Sequence, residues 1–533
     1  MPKGRILVVD DLPDWRATLS GILLDEGYEV RVAGSRQEAL RLLESERFHL
    51  AVLDVRLDEA DESNREGLEL MRQIKAHDPT TAVIILTGYA DVDMVQAALR
   101  PQADGLPLAY SFVEKPNSQE LLEFVQRAFQ HEIKINWDLA IHSEGDFLQR
   151  LSDRMRFTDR SARLPAGQLE AEVDELLRKL FFTCDEITLH PLGQGYSGAT
   201  VFQVEPRYAG RGPGEGLVAK IGEWPLIERE ERNFVQNVRG IVGGHRLPQR
   251  LETARTRSLG GLVYSFAGLG DVTGFVEFYR NAAPSDVSSV LENLFLETCF
   301  SGARLDRVFR PAFNFTEYYL TYLNLTPARL RNSLSTLFGR RHNFSPVSAS
   351  TSKLRFLQDI VLVNPIDIVL GHPLIGNACL TLVHGDLTGY DVILDHHYET
   401  WLVDFATVGL GPCLQDFASF ENFVKLSLLE CEDPRAFYEW ERVLASSPTL
   451  QPPASLLDLA PASPFSKAHQ AIMAIRRLAY QVSGEDHLRE YFIDLLFYAL
   501  KLVTIRRLKP IQRDLALVSA ALVCQRLMTD LAG

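Results

Sequence analysis

The sequence has few cysteines, no excess of positive charge and no long uninterrupted apolar run. Its six cysteines are scattered without a Cys-x-x-Cys pair, which excludes a disulfide framework and a zinc motif and predicts a reducing, cytoplasmic location. The net charge of −15 argues against general nucleic-acid binding, because neutralising phosphates requires clustered lysine and arginine. The most apolar tail segment, 491–505, is interrupted by Asp494 and Lys501 and is too short to span a bilayer. We therefore expect a protein that binds neither nucleic acid nor membrane.

Length and composition indicate a globular protein with several domains. Hydrophobic residues make up 46% and charged residues 23% of the 533 positions, which is ordinary for folded domains with their own cores. The strongest break is 159–168, which is rich in small and turn-forming residues. We predict a domain at 1–130, a connector at 131–180 and a larger domain at 181–533.

The first 130 residues alternate short aliphatic segments with segments whose apolar residues recur at helical spacing. Leu50–Leu53 is aliphatic throughout, as expected for a strand buried on both faces, and it ends at Asp54. Five such strands alternating with helices predict an α/β fold with a doubly wound, five-stranded parallel sheet. An acid at the end of one strand could simply cap a turn, so the neighbouring strands decide how Asp54 is interpreted.

Polar side chains follow four of the five predicted strands. Because the carboxyl ends of strands in such a sheet meet in one crevice, these residues are expected to converge. Clustered carboxylates suit Mg²⁺, and a hydroxyl and a lysine suit the free oxygens of a phosphoryl group on an aspartate. The alternative is that the carboxylates cap separate helices and never converge. In that case all five residues would have to match the expected positions, in order, by chance. The residues are Asp10, Asp11, Asp54, Thr87 and Lys115.

Over roughly residues 3–130 the sequence resembles the receiver domain of bacterial response regulators. The resemblance implies that Asp54 accepts a phosphoryl group from a cognate histidine kinase, with Mg²⁺ held by Asp10, Asp11 and Asp54. It also implies that Thr87 and Lys115 bind the phosphoryl oxygens and that Phe112 is the aromatic switch residue. The loop after Asp54 is longer and more acidic than is usual in the family, and is either a solvated insertion or a determinant of partner choice.

The connector contains an amphipathic helical pattern. Its apolar stripe is flanked by acidic residues, and three roles are open for it: transmitting the state of the first domain, forming the seam of a homodimer, or packing on the next domain. The stripe consists of Leu169, Val173, Leu176, Leu177 and Leu180.

Two features of residues 181–240 suit the binding of phosphate groups. A glycine-rich turn, which contains Gly193, Gly195 and Gly198, lies between two extended segments, and glycine lets backbone N–H groups approach phosphates closely. Lys220 stands alone among aliphatic residues in the strand 216–221, where a lysine needs a phosphate or carboxylate partner. Hairpins often contain glycines, so the turn by itself is a weak signal.

A stronger pattern lies between residues 382 and 405. Two short apolar strands each lead to an aspartate, Asp386 and Asp404, with Asp391 between them. Phosphoryl transfer uses such sets, because one carboxylate positions the attacking hydroxyl and others hold Mg²⁺ on a nucleotide.

This arrangement resembles the aminoglycoside- and choline-kinase-like branch of the protein-kinase fold, with an N-lobe at about 181–240 and a C-lobe with a helical tail at about 241–533. The resemblance implies a nucleotide loop containing Gly193, Gly195 and Gly198, with Lys220 as the phosphate-binding lysine. It implies that Asp386 is the catalytic base and that Asp391 and Asp404 bind metal.

One departure from this family leaves the output of the chain open. Asp391 occupies a position where the family normally has asparagine, so it adds a negative charge beside the phosphates. Two hypotheses remain. In one, a receiver controls an ATP-binding phosphotransferase domain. In the other, it controls a non-catalytic, pseudokinase-like scaffold that binds a downstream protein partner.

Overall fold

The computed structural model describes most of the chain, and its described residues fall into two compact units. The first lies within 1–191, 196–227 and 250–264, and the second within 192–195, 228–249 and 265–533. The predicted glycine-rich turn with Gly193, Gly195 and Gly198 lies outside the described residues. The residues that the structure describes are 3–58, 64–87, 108–115, 118–143, 145, 155, 165–192, 199–238, 249–265, 272–299, 307–339, 341–347, 350–451, 459–460 and 463–532.

The first unit begins with a five-stranded parallel sheet in the order β2-β1-β3-β4-β5, which confirms the predicted doubly wound sheet. The central strand, β3, is buried along its whole length, as its aliphatic sequence requires. We call this the N-terminal sheet. Its strands are β1 (Arg5–Val9), β2 (Glu29–Ala33), β3 (Leu50–Asp54), β4 (Ala82–Thr87) and β5 (Ser111–Glu114).

Helices pack on both faces of the N-terminal sheet. Alternate side chains along β1, β3 and β4 enter two separate hydrophobic clusters, so each face has its own core. Ser35 starts the second helix by accepting a hydrogen bond from the backbone N–H of Glu38. The described helices here are α1 (Pro13–Asp25), α2 (Arg36–Ser45), α3 (Glu66–His77) and α4 (Ser118–Arg127), and a π-helical turn (Ala128–Ile133) continues α4.

A second, seven-stranded sheet belongs to the same compact unit. Its order is β11-β12-β10-β8-β7-β6, with β9 paired to β8. Helix α5 (Ala166–Leu180) lays its apolar stripe on this sheet, and all five stripe residues are buried in one cluster. The stripe therefore packs within its own chain. The strands are β6 (Ala140–Ser143), β7 (Glu186–Pro191), β8 (Thr200–Tyr208), β9 (Gly212–Pro213), β10 (Leu217–Glu223), β11 (Gln249–Arg255) and β12 (Leu259–Ser265).

Three small sheets in the second unit hold its polar loops in place. The sheet β14-β18-β21 is antiparallel, and its strand β18 leads into the segment that contains Asp386, whereas Asp404 follows β20 of a different sheet. The other two sheets are β13-β19-β20 and β15-β16-β17. Their strands are β13 (Thr273–Gly274), β14 (Val308–Asn314), β15 (Phe344–Val347), β16 (Ser350–Phe356), β17 (Ile360–Val363), β18 (Ile375–Val383), β19 (Val392–Leu394), β20 (Thr400–Leu402) and β21 (Gly409–Pro412).

Helices make up the rest of the second unit, together with the end of α6, which begins in the first unit. The longest helices are at the end of the chain, and α15 is buried along nearly all of its length. No described helix combines the length and apolar character needed to cross a membrane. The helices are α6 (Trp224–Asn233), α7 (Phe275–Asn281), α8 (Pro284–Glu292), α9 (Phe315–Tyr322), α10 (Pro327–Thr336), α11 (Pro365–Gly371), α12 (Gln415–Phe423), α13 (Pro434–Ala445), α14 (Pro464–Ser483), α15 (Leu488–Thr504) and α16 (Pro510–Ala532).

Candidate functional site

Three aspartates meet at the carboxyl edge of the N-terminal sheet. Asp10 and Asp11 directly follow β1, and Asp54 is the last residue of β3. Ligand oxygens of the three side chains all lie within 4.8 Å of one another. Asp10 and Asp54 are buried, whereas Asp11 is half-buried, so the cluster opens to solvent on the Asp11 side.

Lys115, immediately after β5, reaches across the sheet edge to this cluster. Its Nζ lies 2.6 Å from Oδ2 of Asp10 and 2.7 Å from Oδ2 of Asp54. Burial, together with the nearby charge of Asp10, raises the pKa of Asp54 although Lys115 opposes the shift. Burial lowers the pKa of Lys115, but its hydrogen bonds to the two carboxylates outweigh that effect and raise it. The lysine therefore stays charged and holds Asp54 at the sheet edge.

The start of α3 packs closely against the backbone at the end of β3. The N–H of Val55 donates to the carbonyl of Leu86 on β4 at 3.2 Å, and the N–H of Gly67 donates to the carbonyl of Val55 at 3.1 Å. A Cβ on Gly67 would lie 1.8 Å from the carbonyl oxygen of Asp54. The start of α3 can therefore approach the end of β3 only because residue 67 is glycine.

Thr87 lies at the end of β4, and Phe112 lies in β5. Thr87 ends β4 opposite Glu114 of β5, and only its backbone is described. Phe112 lies opposite Ile85 and is a partly buried member of the cluster on one face of the sheet. Phe112 is therefore packed against the core but is not enclosed by it.

The residues at this edge fit a magnesium ion. Three carboxylates with oxygens this close repel one another, and a single lysine supplies only one positive charge. Mg²⁺ favours oxygen ligands from one or two carboxylates and retains several waters. Asp10, Asp11 and Asp54 would hold the ion, which would add the missing positive charge beside the acceptor carboxylate.

The second unit arranges the predicted Asp386 segment around a buried acid. The carboxylate of Asp416, on α12, accepts hydrogen bonds from the backbone N–H groups of His384 and Gly385, both at 2.8 Å. Gly385 has a φ of 92°, which favours glycine. Asp386 itself is partly exposed and pairs with Lys501 of α15 through both carboxylate oxygens.

Asp391 and Asp404 lie near each other in the same unit. Asp391 accepts two hydrogen bonds from Thr388, from its N–H and its hydroxyl, both at 2.8 Å. Burial and the neighbouring charge of Asp404 raise the pKa of Asp391 to about 7. Within the part of the chain that the structure describes, no third ligand completes a metal-sized group with this pair.

Lys220 of the kinase-like prediction and Glu230 of α6 are both buried, each within its own unit. Lys220 is enclosed in β10 of the first unit. In the second unit Glu230 is fully buried and its Oε1 accepts a hydrogen bond from the backbone N–H of Phe405 at 3.2 Å. Glu228 and Glu231 on the same helix are partly exposed, so Glu230 is the glutamate among the three that is turned into the protein.

Three residues that contribute to these sites could not be recognised from the sequence. From the sequence, Lys501 was only a charge interrupting an apolar segment, and Gly67 had no assigned role. Trp15 places its ring 5.5 Å from Nζ of Lys115, a distance at which the ring attracts the ammonium group. Helical spacing placed Trp15 on α1, but nothing local to it indicated a partner a hundred residues away.

Two family models match separate regions of the chain. The family model of the response regulator receiver domain matches residues 6–126. Sporulation initiation phosphotransferase F of Bacillus subtilis is 33% identical over 96 residues, which is 18% of this chain and 73% of that protein. Nitrogen assimilation regulatory protein NtrX of Azorhizobium caulinodans is 33% identical over 172 residues, 32% of this chain. This chain spans only 34% of the length of that NtrX.

Among solved structures, a CheY-like response regulator receiver domain protein from Methanospirillum hungatei is 32% identical and covers 25% of this chain and 97% of its own, with a TM-score of 0.22. For the C-terminal region, the family model described as Ternary complex associated domain 9 matches residues 353–504. That match does not extend to a kinase-like fold, so the kinase-like resemblance stays a prediction.

Proposed function

We propose a function for this chain, which belongs to the response regulators through its N-terminal receiver domain. Asp54 accepts a phosphoryl group from a partner histidine kinase, and this phosphorylation controls the C-terminal region. The observation that carries this proposal is the position of Lys115, within hydrogen-bonding distance of both Asp10 and Asp54. Asp54 is thus an acceptor with a metal-sized acidic pocket on one side and a cation on the other.

In this proposal an oxygen of Asp54 forms the new bond to phosphorus while the bond to the donor breaks. Bound Mg²⁺ supplies positive charge that offsets the repulsion between the acidic pocket and the incoming phosphoryl group. Lys115 exchanges its contacts with Asp10 and Asp54 for a phosphoryl oxygen, and the Thr87 hydroxyl binds another. Because Lys115 directly follows β5, its change of partners alters the conformation at the end of this strand, which also contains Phe112.

A direct test incubates the full chain with Mg²⁺ and acetyl phosphate and measures the intact mass. We expect the gain of one phosphoryl group, its loss when the metal is chelated, and no gain in Asp54→Asn. Asp14→Asn, on the exposed side of α1, is the control and should be labelled like the wild type. Equal labelling of Asp54→Asn would exclude Asp54 as the acceptor.

For the C-terminal region we propose a kinase-like domain that binds a nucleotide, with ATP as the candidate. Support comes from the second unit alone: Asp416 holds the backbone at His384 and Gly385, Asp391 and Asp404 are neighbours, and Glu230 holds the backbone of Phe405. In this proposal Asp391 and Asp404 bind the Mg²⁺ that accompanies the nucleotide.

The nucleotide test uses the full chain, because a fragment starting at residue 181 would remove α5 from the second sheet. We expect millimolar Mg-ATP to raise the midpoint of thermal unfolding, and Asp404→Asn to abolish the rise. Asp395→Asn, in the neighbouring hairpin turn, serves as the control. An unchanged midpoint in the wild type would remove the nucleotide proposal.

A second candidate is a non-catalytic scaffold for a downstream protein partner. One observation favours it: Lys501 already occupies both oxygens of Asp386. ATP hydrolysis by the full chain separates the candidates. Turnover that is lost in Asp386→Asn supports the catalytic form, whereas nucleotide binding without turnover supports the scaffold.

A further inference from the structure

Two of the six cysteines lie side by side in the second unit. Cys379 is in β18, and Cys413 directly follows β21. These strands are antiparallel with Leu380 opposite Pro412, so the next pair along the ladder is Cys379 and Cys413. The backbone N–H of Cys413 donates to the carbonyl of Cys379 at 2.9 Å, which shows that the pairing continues to the cysteines.

This placement suits a disulfide bond. Directly opposed residues of an antiparallel ladder have Cα atoms about 4.5 to 5.5 Å apart. A disulfide requires a Cα separation of roughly 4.4 to 6.8 Å. Side chains of opposed residues project from the same face of the sheet, and the two thiols already share a hydrogen bond. No strand has to move for the sulfurs to meet.

The two thiols differ in access and in acidity. Cys413 is buried and Cys379 is half-buried, and Phe309, which lies opposite Cys379 on β14, is 64% exposed. The hydrogen bond from Cys413, together with the positive charges of Arg307 and His487, lowers the pKa of the Cys379 thiol to about 6 although burial opposes the shift. Cys379 is thus the reachable, thiolate-forming partner.

We propose that Cys379 and Cys413 form a reversible redox site that a hydroperoxide oxidises to a disulfide. The Cys379 thiolate attacks one peroxide oxygen, the O–O bond breaks, and the product is a sulfenic acid and hydroxide, or alkoxide when the peroxide is organic. The Cys413 sulfur then attacks the Cys379 sulfur, the S–O bond breaks, and the S–S bond forms as the Cys413 proton and the leaving hydroxide become water. Two thiols are oxidised and one hydroperoxide is reduced.

The pair lies next to the elements that hold the Asp386 segment. Strand β18 leads directly into His384 and Gly385, and Cys413 precedes α12, whose Asp416 binds the N–H groups of those two residues. A disulfide would tie together the two supports of this loop. The inference does not rely on nucleotide binding or catalysis, because it needs only the two strands and their thiols.

The test treats the full chain with hydrogen peroxide and maps its peptides without reduction. We expect a linked peptide joining Cys379 to Cys413, its disappearance after dithiothreitol, and slower hydrogen exchange at 384–386 in the oxidised protein. Cys413→Ser should leave Cys379 as a sulfenic acid that dimedone traps. Cys379→Ser should leave Cys413 unoxidised under the same treatment.

Cys431 supplies the matched control within the same chain. It is also half-buried, but burial raises the pKa of its thiol, so we expect Cys379 to react several-fold faster. Cys431→Ser should form the linked peptide at the wild-type rate. Oxidation of Cys379 and Cys431 at equal rates, or over-oxidation of Cys379 in the wild type without the linked peptide, would overturn the proposal. The wild-type measurements decide the matter even if a serine variant does not fold.

Discussion

Arg47 and Glu175 form an ion pair between the receiver and the connector helix α5, with Nη1 and Oε2 3.1 Å apart. Glu175 is almost fully buried and also pairs with Lys179 at 2.8 Å. Burial alone would raise the pKa of Glu175, but the charges of Lys179 and Arg47 outweigh it and lower the pKa to about 2. The receiver and the second sheet are thus joined partly through one buried carboxylate.

Replacing Glu175 with glutamine should destabilise the first unit by about 1–3 kcal/mol, because it removes the nearest buried counter-charge of Lys179 and Arg47. Urea unfolding of the full chain, followed by the fluorescence of Trp137, measures the change. Glu123→Gln removes an ion pair whose two side chains are each 59% exposed, so its effect should stay within about 0.5 kcal/mol. Equal effects of the two substitutions would show that the buried Glu175 ion pair stabilises the protein no more than an exposed ion pair does.

The pH dependence of the same junction should depend on His49. Burial lowers the pKa of His49 to about 4 from 6.5, and its Nδ1 accepts a hydrogen bond from the N–H of Arg5 at 2.9 Å. Since the unfolded chain takes up this proton first, the contribution is complete above pH 6.5 and is lost as pH falls towards 4. We expect a loss of up to about 3 kcal/mol, measured as unfolding free energy against pH.

His49→Asn, whose amide oxygen can still accept from Arg5, should remove that part of the acid sensitivity. His142→Asn changes an exposed ring and should keep the wild-type profile. A His49→Asn profile that overlays the wild type between pH 6.5 and 4 would contradict the assignment.

Adding a methyl group at Gly67 should impair both stability and phosphorylation. The Cβ would overlap the carbonyl oxygen of Asp54, so Gly67→Ala must push α3 away from the end of β3. We expect the receiver to lose roughly 1–3 kcal/mol and acetyl phosphate labelling to slow. Gly21→Ala has open space around its Cβ inside α1 and should stabilise by about 0.5–1 kcal/mol. Normal labelling of Gly67→Ala would show that the close approach does not position Asp54.

A buried charge cluster should dominate the stability of the second unit. Glu421 binds Arg476 through two contacts of 2.8 Å and lies 3.2 Å from Lys425, and all three residues are buried. Burial would raise the pKa of Glu421, but these two cations lower it to about 2. Glu421→Gln should therefore cost roughly 3–5 kcal/mol, because the buried Arg476 loses its counter-charge and Lys425 keeps only Glu441, at 2.9 Å.

Thermal and urea unfolding of the full chain measure that loss. The exposed pair of Arg442 and Glu439 provides the control, since Arg442→Ala should change stability by less than about 1 kcal/mol. Below pH 4.5 the wild type should lose the Glu421 contribution progressively towards pH 2, because the unfolded chain binds that proton first. A Glu421→Gln variant as stable as Arg442→Ala would show that the cluster is not the main support.

Much of the receiver could be predicted from residue order. The aliphatic run of β3, buried along its length, marked the sheet centre, and the positions of Asp10, Asp54 and Lys115 after their strands were enough to predict that they meet. A parallel sheet makes such inference possible because all its strands end at one edge. The apolar stripe of the connector helix was also evident from the sequence. Packing on the next domain was only one of the three roles that the sequence left open for it.

Other features depend on partners that are distant in sequence. The sequence shows Glu172 and Glu175 only as acidic residues flanking the apolar stripe of α5. Both are buried, because Thr256, Ser258, Lys179 and Arg47 pair with them. The contact of Lys501 with Asp386 and the pairing of Cys379 with Cys413 gave no local signal.

The sequence by itself determined the elements and the edge at which the acids of the receiver collect, because hydrophobic periodicity and strand order are local properties. Only the tertiary structure decided which charged groups are buried with partners and which thiols are neighbours. Those outcomes depend on long-range packing, in which the cost of desolvating a charge or the reactivity of a thiol is set by residues far away along the chain.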